Sequence, residues 1–549
     1  MMRIVMALIA ALTLAGGAAN AAVYDLVIDE ATVHVGGRAR TAVAINGSVP
    51  GPLLRWREGE DVTVRVTNRL AEETSVHWHG LLVPPEMDGV PGLGFDAIQP
   101  GDTFVYRFTT RQSGTYWYHS HSGMQEQAGH YAPLIIDPAR PEPVASDREY
   151  VLFLSDWTDE HPNRVLARLK KQGDYYNVQT RTVFDFFRDL RAAAGADARR
   201  AVVKDRLAWG RMRMDPTDVA DVTGSTYRFL VNGKTPDENW TGLIRPGERV
   251  RLRVINGAAM TYFDVKIPGL KLTIVQADGQ NVEPVEVDQF RIAVAETYDV
   301  IVEPTDAGPY TIFAAAMDRS GYARATLAPR AGMTAPIPPL AGRPILTMAA
   351  MGGMDEMGDM GTMGDMDGMA DHAMHGPMTE GAGDAAPWAD LMRYPDGDPY
   401  GRGRTLRYED LRALEPGTDG PDPGREIVIR LRGNMQRYFW SMDVEGVTRG
   451  GPIVLRYGER VRLTFVNETM MNHPMHLHGT WMMLENGRER RLFPRKHTVN
   501  ILPGRTYAVE VVADAPGEWA FHCHLLYHLG TGMMGTMVIA QSPAPAARP

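Results

Sequence analysis

Residues 522–533 read HCHLLYHLGTGM, a stretch that places the chain's single cysteine between two histidines and five residues before a third. A thiolate, two imidazoles and a long axial thioether make a blue-copper site. Cys523, His528 and Met533 would supply three of these ligands, and one histidine is missing locally. Because a lone cysteine cannot form an internal disulfide, its thiol is expected to be reactive, buried or metal-bound.

The same stretch predicts a second metal site. If residues 519–524 lie on a strand, His522 and His524 point to one face and Cys523 to the other. Two different sites would then be joined through adjacent residues. The alternative is a buried structural cysteine beside unrelated histidines.

Three repeated segments predict three related domains. The segments read GEDVTVRVTN at 59–68, GERVRLRVIN at 247–256 and GERVRLTFVN at 458–467. Each alternates apolar and polar residues, as strands of a β-sandwich do. Coincidence among valine-rich strands is the alternative.

A longer repeat assigns the histidines to two of these domains. GTYWYHSH at 114–121 parallels GEWAFHCH at 517–524, whereas the middle copy, GPYTIF at 308–313, has no histidine. Metal ligands are therefore expected in the first and third domains. Residues 163–196, within the second domain, have a mixed helical spacing of apolar residues and predict a partly helical insertion.

Ten of the sixteen histidines fall in four clusters. The clusters are His77-Trp78-His79, His119-Ser120-His121, His473-Pro474-Met475-His476-Leu477-His478, and the opening stretch. Neutral imidazole suits copper, zinc, iron and nickel. One tetrahedral zinc takes four ligands, so it does not account for eight paired histidines and a separate thiolate.

The order of these clusters resembles the three-domain multicopper oxidases. HWHG, WYHSH, HPMHLHG and HCHLLYH, with Arg211–Pro216 and a Met-rich segment, are similar to the bacterial copper-resistance protein A branch. This resemblance implies an all-β fold of three cupredoxin-like Greek-key β-sandwich domains. It also implies four copper ions as cofactors, of which one is type 1, one type 2 and two type 3.

The resemblance further implies a role for each clustered residue. His473, Cys523 and His528 would hold the type 1 copper with Met533 as axial ligand, and His77 and His476 the type 2 copper. The type 3 pair would be held by His79, His119, His121, His478, His522 and His524. The Cys523 sulfur, flanked by His522 and His524, would carry electrons between the sites, and four one-electron oxidations would reduce dioxygen to two waters.

Reduction of dioxygen also needs protons. Asp88, which follows the HWHG motif, matches an acidic position of the family, and the alternative is an ordinary Asp-Gly turn. A second acid often follows the last type 1 histidine in the family. Leu529 and Gly530 stand there in this chain, so that proton relay is in doubt.

A Met-rich segment precedes the third domain. Every third residue from 348 to 378 is methionine or histidine, and no Lys or Arg occurs between Arg343 and Arg393. Thioethers select Cu(I), so accessory Cu(I) binding is expected, against the alternative of a linker expanded by replication slippage. The composition predicts a linker that is disordered without metal. The accessory ligands would be Met351, Met354, Met357, Met360, Met363, Met366, Met369, His372, His375 and Met378.

The N-terminus indicates export. Arg3, an apolar run and the A-x-A sequence Ala19-Asn20-Ala21 predict a cleaved signal peptide and a periplasmic protein, with a membrane anchor as the alternative. No other apolar run is long enough to span a membrane. The expected organisation is a signal peptide at 1–21, cupredoxin domains at 22–143, 144–340 and 396–545, and the Met-rich linker at 341–395.

Three functions are compatible with the sequence. A net charge of −10 argues against binding to nucleic acid. The leading hypothesis is an oxidase that converts Cu(I) to Cu(II) with dioxygen in copper tolerance and also acts on phenols. The alternatives are a copper-sequestering protein that uses the Met-rich segment and a general phenol-oxidising laccase. His34, His130, His161 and His497 are interpreted as surface or structural residues.

Overall fold

The computed structural model describes residues 22–346, 403–417, 420–447 and 450–541. The predicted signal peptide and the accessory Cu(I) ligands lie outside these residues. In the described residues, strands form three pairs of sheets that follow one another along the chain. The prediction of an all-β fold with a helical insertion is confirmed, while the domain boundaries stay a prediction.

The first domain has two four-stranded sheets. Its strands are β1 (Ala22–Val35), β2 (Arg38–Ile45), β3 (Leu54–Arg57), β4 (Asp61–Asn68), β5 (His77–His79), β6 (Thr103–Thr109), β7 (Gly114–His119) and β8 (Tyr131–Asp137). The strand orders are β2-β1-β4-β6 and β3-β8-β7-β5. Histidine-bearing β5 is thus an edge strand that pairs with β7.

The second domain has a six-stranded and a five-stranded sheet, with helices inserted after its first strand. Its elements are β9 (Arg148–Thr158), α1 (Pro162–Lys171), α2 (Val183–Ala192), α3 (Gly195–Met212), β10 (Tyr227–Val231), β11 (Trp240–Leu243), β12 (Val250–Asn256), β13 (Phe263–Lys266), β14 (Leu272–Ala277), β15 (Gln280–Val287), β16 (Gln289–Ile292), β17 (Thr297–Val302), β18 (Tyr310–Ala316) and β19 (Tyr322–Ala328). The strand orders are β10-β9-β12-β17-β14-β15 and β11-β19-β18-β13-β16.

The third domain repeats this arrangement. Its elements are β20 (Arg425–Asn434), β21 (Phe439–Val444), β22 (Ile453–Arg456), β23 (Arg460–Asn467), β24 (His473–Leu477), β25 (Met482–Leu484), β26 (Arg495–Lys496), β27 (Thr498–Ile501), β28 (Thr506–Val512), β29 (Gly517–Cys523), α4 (Leu526–Leu529) and β30 (Met534–Ala540). The strand orders are β21-β20-β23-β28-β25-β26 and β22-β30-β29-β24-β27.

The three repeated segments occupy equivalent strands, β4, β12 and β23. Each pairs in parallel with the first strand of its domain, and each ends at a buried asparagine, Asn68, Asn256 or Asn467. The asparagine amide donates to backbone carbonyls of neighbouring loops, and its oxygen accepts the N–H of the second residue beyond. The repeat therefore ends in Asn because this side chain satisfies backbone groups where the strand stops.

The insertion extends further than the sequence indicates. Helix α2 begins at a capping box in which Thr182 and Asp185 bond each other's backbone N–H groups, an arrangement that stabilises helix starts. Helix α3 continues beyond the predicted end at 196, because its buried Trp209 anchors it to the apolar core. Of the described helices, none is both long and apolar enough to cross a membrane.

The apolar core shows how the domains pack. One cluster of buried side chains runs continuously through the second and third domains and includes Trp117 and Tyr131 of the first. Most of the first domain has its own cluster around Trp56 and Trp78, and a small third cluster packs Val33, Val35 and Ala42 against Trp157 and Leu230 of the second domain. Apolar contact therefore fixes the first domain against its neighbours through both of its sheets.

Candidate metal centre

Strand pairing brings the histidine clusters together within each domain. β5 pairs with β7 so that His77 faces His119, and β24 pairs with β29 so that His476 faces His522. The intervening Trp78 is buried in the core of the first domain, because alternate strand residues point to opposite faces. Each H-x-H therefore directs both imidazoles away from that core.

Six histidines form two groups of three, and each group combines residues of the first and third domains. The groups are His79, His119 and His524, and His121, His478 and His522. The Nε2 atom of His522 lies 3.1 Å from that of His478 and 3.3 Å from that of His121. Since metal–imidazole bonds are roughly 2 Å long, nitrogens at this spacing can share one ion.

His77 and His476 form the third part of this interface site. Their Nδ1–H groups donate to the backbone carbonyls of Asp88 (2.8 Å) and His497 (2.7 Å). Their Nε2 atoms are buried and have no hydrogen-bond partner. A histidine that donates through one ring nitrogen offers a lone pair at the other, so these two unpartnered nitrogens fit a metal ion. We call the eight histidines the interface set.

Burial lowers the pKa of seven of the eight interface imidazoles and so favours their neutral form. Loss of hydration lowers the pKa of His522 to about 4. Burial, followed by repulsion between neighbouring rings, holds the pKa well below its usual value for His79, His119, His121, His476, His478 and His524. Neutral rings keep the lone pairs that a cation needs.

A second site lies within the third domain and brings together His473, Cys523 and His528. The Cys523 Sγ atom lies 3.6 Å from Nδ1 of His473 and 3.7 Å from Nδ1 of His528. Met533 is buried, and its backbone carbonyl accepts the Cys523 N–H at 3.0 Å. We call these four residues the mononuclear set.

The chemistry of this donor set suits copper. Burial raises the pKa of the Cys523 thiol well above its usual range, so a bound cation rather than solvent must stabilise the thiolate. One thiolate with two imidazoles is a copper donor set, to which a thioether can add a long axial contact. The predicted ligands His473, Cys523 and His528 are thus adjacent in space.

Polar contacts fix the Nε2 atoms of His473 and His528, the ring nitrogens that do not face Cys523. The Nε2–H of His473 donates to Thr469 Oγ1 at 2.8 Å, and that of His528 donates to Asp221 Oδ2 at 2.9 Å. Trp440 stacks on His528 with ring centroids 3.9 Å apart. Such contacts select the tautomer that presents Nδ1 to a metal. The sequence did not indicate Asp221, because it lies in the second domain with no motif around it.

Asp88 contacts ligands of both domains. Its Oδ2 atom accepts the Nδ1–H of His478 at 2.8 Å, and its Oδ1 atom lies 3.4 Å from Nδ1 of His77. Gly89 has φ = +80°, and a Cβ there would lie 1.9 Å from the carbonyl oxygen of Val76. The Asp-Gly turn thus exists, and it also places the carboxylate against the interface set.

Two further residues of this region were not predicted. Glu126 is buried, and its Oε2 atom lies 2.9 Å from Nδ1 of His119; burial, reinforced by Asp156, raises its pKa well above the usual value. His497 is buried with its Nδ1 atom 3.1 Å from Nε2 of His79, so of the two interpretations, surface or structural, burial excludes the surface one. Neither residue has H-x-H spacing, the signal that identified the ligands.

The other histidines outside the clusters differ in environment. His34 and His161 are exposed. His130 is buried, its ring nitrogen lies 3.4 Å from Thr74 Oγ1, and burial lowers its pKa to about 3. It joins no group of candidate ligands among the described residues. Leu529 and Gly530 supply no acid beside His528, and Asp221 is the carboxylate found there.

Comparison with known families gives a consistent match over all three domains. Models of multicopper oxidases match residues 27–141, 148–331 and 420–543. Together the three matches cover most of the chain.

Individual relatives agree with these matches. A copper resistance protein A homolog of Pseudomonas syringae pv. tomato is 51% identical, over 93% of this chain and 91% of that protein. Copper resistance protein A of Escherichia coli is 49% identical over the same shares. The crystal structure of a laccase from Botrytis aclada superimposes with a TM-score of 0.64 at 21% identity, covering 94% of this chain and 88% of that one, a likeness of fold.

Proposed function

The chain belongs to the multicopper oxidase family, and from that premise we propose that it oxidises Cu(I), and also phenols, with dioxygen as acceptor in copper resistance. The resemblance of the sequence to this family is confirmed, and with it copper as cofactor and the cupredoxin-like fold. When bound, copper supplies the one-electron steps that couple oxidation of four substrate equivalents to reduction of one dioxygen. The residues of the two sets supply the ligands.

In this proposal each set has one role. The mononuclear set holds the type 1 ion near the substrate. Within the interface set, His77 and His476 hold the type 2 ion, and the two groups of three hold the type 3 pair. Of these twelve residues eleven are buried and His121 is partly buried, so bulk water would have little access to the ligand atoms.

The observation that supports this division most directly is the end of strand β29. His522 and His524 belong to different groups of three, and Cys523 between them belongs to the mononuclear set. The carbonyl oxygen of Cys523 also accepts the Nδ1–H of His522 at 3.0 Å. The peptide bonds from Cys523 to His522 and to His524 therefore connect the two sets and would give electrons a short route.

Asp88 has the position of a proton donor in this scheme. Its Oδ2 atom is bonded to His478, whereas its Oδ1 atom is buried and has no hydrogen-bond partner. This oxygen faces the interface set, with Nδ1 of His77 at 3.4 Å. We propose that Asp88 relays protons to that set during reduction of dioxygen.

Carboxylates next to His528 favour a cationic substrate. Asp221 contacts its ring, and burial followed by repulsion from Asp221 and other acids raises the pKa of Asp218 well above its usual value. Asp218, Asp221 and Asp318 each have a buried carboxylate oxygen without a hydrogen-bond partner. A bound cation would relieve the repulsion among these acids and accept their unpartnered oxygens as ligands, which a neutral phenol cannot do, so we rank Cu(I) as the preferred substrate.

Oxygen uptake tests this preference. With Cu(I) and with 2,6-dimethoxyphenol as alternative substrates, Asp221→Asn is expected to raise the KM for Cu(I) by about 10-fold more than the KM for the phenol, equivalent to roughly 1.4 kcal/mol. Asp237→Asn, at an exposed position of the same domain, serves as control. Absence of any Cu(I)-stimulated uptake by the copper-loaded wild type would refute the proposal.

A deletion distinguishes oxidation from sequestration. Removal of residues 348–378 from an oxidase should leave copper at both sets and turnover of small phenols intact. A sequestering protein would lose most of its copper capacity and its protective effect.

Export to the periplasm through residues 1–21 is likewise part of the proposal, and N-terminal sequencing of the mature protein tests it.

A further inference from the structure

His497 lies where the three domains meet. Its ring is fully buried, between strands β26 and β27 of the third domain. The ring centroid lies 4.7 Å from that of His79 and 5.7 Å from that of His476. Both neighbours belong to the interface set, although His497 itself joins no group of candidate ligands among the described residues.

The contact with His79 has a defined direction. Nδ1 of His79 faces His119, whose Nε2 atom is 3.4 Å away, so Nδ1 is the nitrogen available to a metal ion. Its Nε2 atom must then carry the hydrogen. That N–H can donate to Nδ1 of His497 at 3.1 Å or to Oγ1 of Thr498 at 3.2 Å.

His497 is itself held by the second domain. Oδ2 of Asp278 lies 3.6 Å from Nδ1 of His497 and accepts the backbone N–H of Thr498 at 3.1 Å. The same carboxylate pairs with the buried Lys496 at 3.0 Å, and Lys496 also lies 3.1 Å from Glu296. Buried ion pairs with several polar partners hold their groups in one geometry.

The backbone of the first domain packs closely against the His497 ring. Gly80, which ends the HWHG motif, has φ = +81°, and a Cβ there would lie 2.3 Å from Cδ2 of His497. Its carbonyl oxygen accepts the Trp481 Nε1–H of the third domain at 3.1 Å. The glycine therefore permits close contact between His79 and His497.

We propose that His497 is a positioning residue for His79: its Nδ1 atom accepts the His79 Nε2–H and holds the His79 Nδ1 lone pair toward its group of three, while Asp278 fixes the adjacent backbone through the Thr498 N–H. This proposal rests on the proposed function only in that the interface set binds copper. Contacts beyond the ligands typically change metal affinity about 10- to 100-fold. Copper retention, rather than activity, is therefore the relevant measurement.

The test uses the full chain loaded with copper and dialysed against increasing concentrations of a copper chelator. Bound copper is counted, and the thiolate-to-Cu(II) band near 600 nm reports the mononuclear set in the same sample. His497→Phe keeps a ring but removes the acceptor, and it should lose interface copper at an about 10-fold lower chelator concentration. His497→Phe combined with Thr498→Val, which removes both acceptors, should approach about 100-fold. The 600 nm band should persist in both.

Two further variants sharpen the test. His497→Asn retains an acceptor near the position of Nδ1 and should restore most of the retention. His130→Phe is the matched control, because His130 is an equally buried histidine that joins no group of candidate ligands among the described residues, and it should behave as wild type. Asp278→Asn should show a smaller loss than His497→Phe.

The outcomes separate this proposal from others. Wild-type retention of interface copper in His497→Phe with Thr498→Val would overturn it. Parallel loss of the 600 nm band in His497→Phe and Asp278→Asn would also overturn it, since it would indicate a general role in folding. A wild-type protein that binds copper at both sets but oxidises neither Cu(I) nor phenols would refute the proposed function and leave this test unaffected.

Discussion

The mononuclear set and the interface set are built in different ways. All four residues of the mononuclear set belong to the third domain, on β24 and on the stretch from β29 to β30. The interface set takes four histidines from the first domain and four from the third. The mononuclear set therefore takes its ligands from one domain, with Asp221 of the second domain in contact with His528, whereas the interface set needs ligands from two domains docked in register. The two sites should respond separately to substitution, and the following predictions test that separation.

Cys523→Ser should have the largest effect. A hydroxyl is a poor substitute for a thiolate toward copper, so the band near 600 nm should vanish and turnover should fall below detection. The interface set should keep its copper, measured as metal content. Met533→Leu is the matched control and should keep the band. Loss of interface copper in Cys523→Ser would show that the sites are not separable.

His121→Phe should produce the converse result. The substitution removes one ligand from a group of three, so copper bound at the interface set should decrease. Because the three ligands act together, oxygen consumption should fall by at least about 10³-fold. The 600 nm band should remain, since no residue of the mononuclear set is touched. A decrease of that band to the same extent would contradict the comparison.

Asp88→Asn should have an intermediate effect. The amide can still accept a hydrogen bond from His478 but cannot deliver a proton, so turnover should fall by about 10²-fold, a typical contribution of a proton donor. Copper content and the 600 nm band should stay at wild-type levels. Asp88→Glu, which keeps the acid, should retain more activity than Asp88→Asn. Equal activity of the two variants would exclude a role in proton transfer.

Lowering the pH should destabilise the copper-free protein, and this is the smallest of the four expected effects. Burial lowers the pKa of seven interface imidazoles below the ordinary 6.5, and that of His522 is about 4. The unfolded chain therefore binds more protons below pH 6.5, and stability should fall as the pH decreases from 6.5 toward 4. Thermal unfolding of copper-free protein measures this. Copper-loaded protein should change less, because bound metal keeps the ligands deprotonated.

Much of the interface set could be predicted because strand geometry is local. H-x-H on a strand aims two imidazoles in one direction whatever the rest of the chain does, and the structure places all eight paired histidines together. Glu126, Asp221 and His497 could not be predicted in this way. Each contacts a candidate ligand that is distant in sequence or lies in another domain, and single residues carry no periodic signal.

The length of the helical insertion is a part of the fold that the sequence alone did not predict. The apolar spacing of 163–196 predicts helices, but α3 continues to Met212 because Trp209 packs into the core of the second domain. Its own sequence is rich in charged residues, so its amphipathic pattern is weak. Tertiary packing, rather than local propensity, decides where this helix ends.

By itself the sequence determined the class of fold, the three repeats, the family and the residues able to bind copper, because these depend on period-two alternation and on donor atoms in short motifs. Only the tertiary structure decided which histidines share a group and which second-domain carboxylates, Asp221 and Asp278, support them. The physical reason is that a metal site needs donor atoms within a few ångströms, and across domains that spacing depends on how packed surfaces fit rather than on the spacing of residues along the chain.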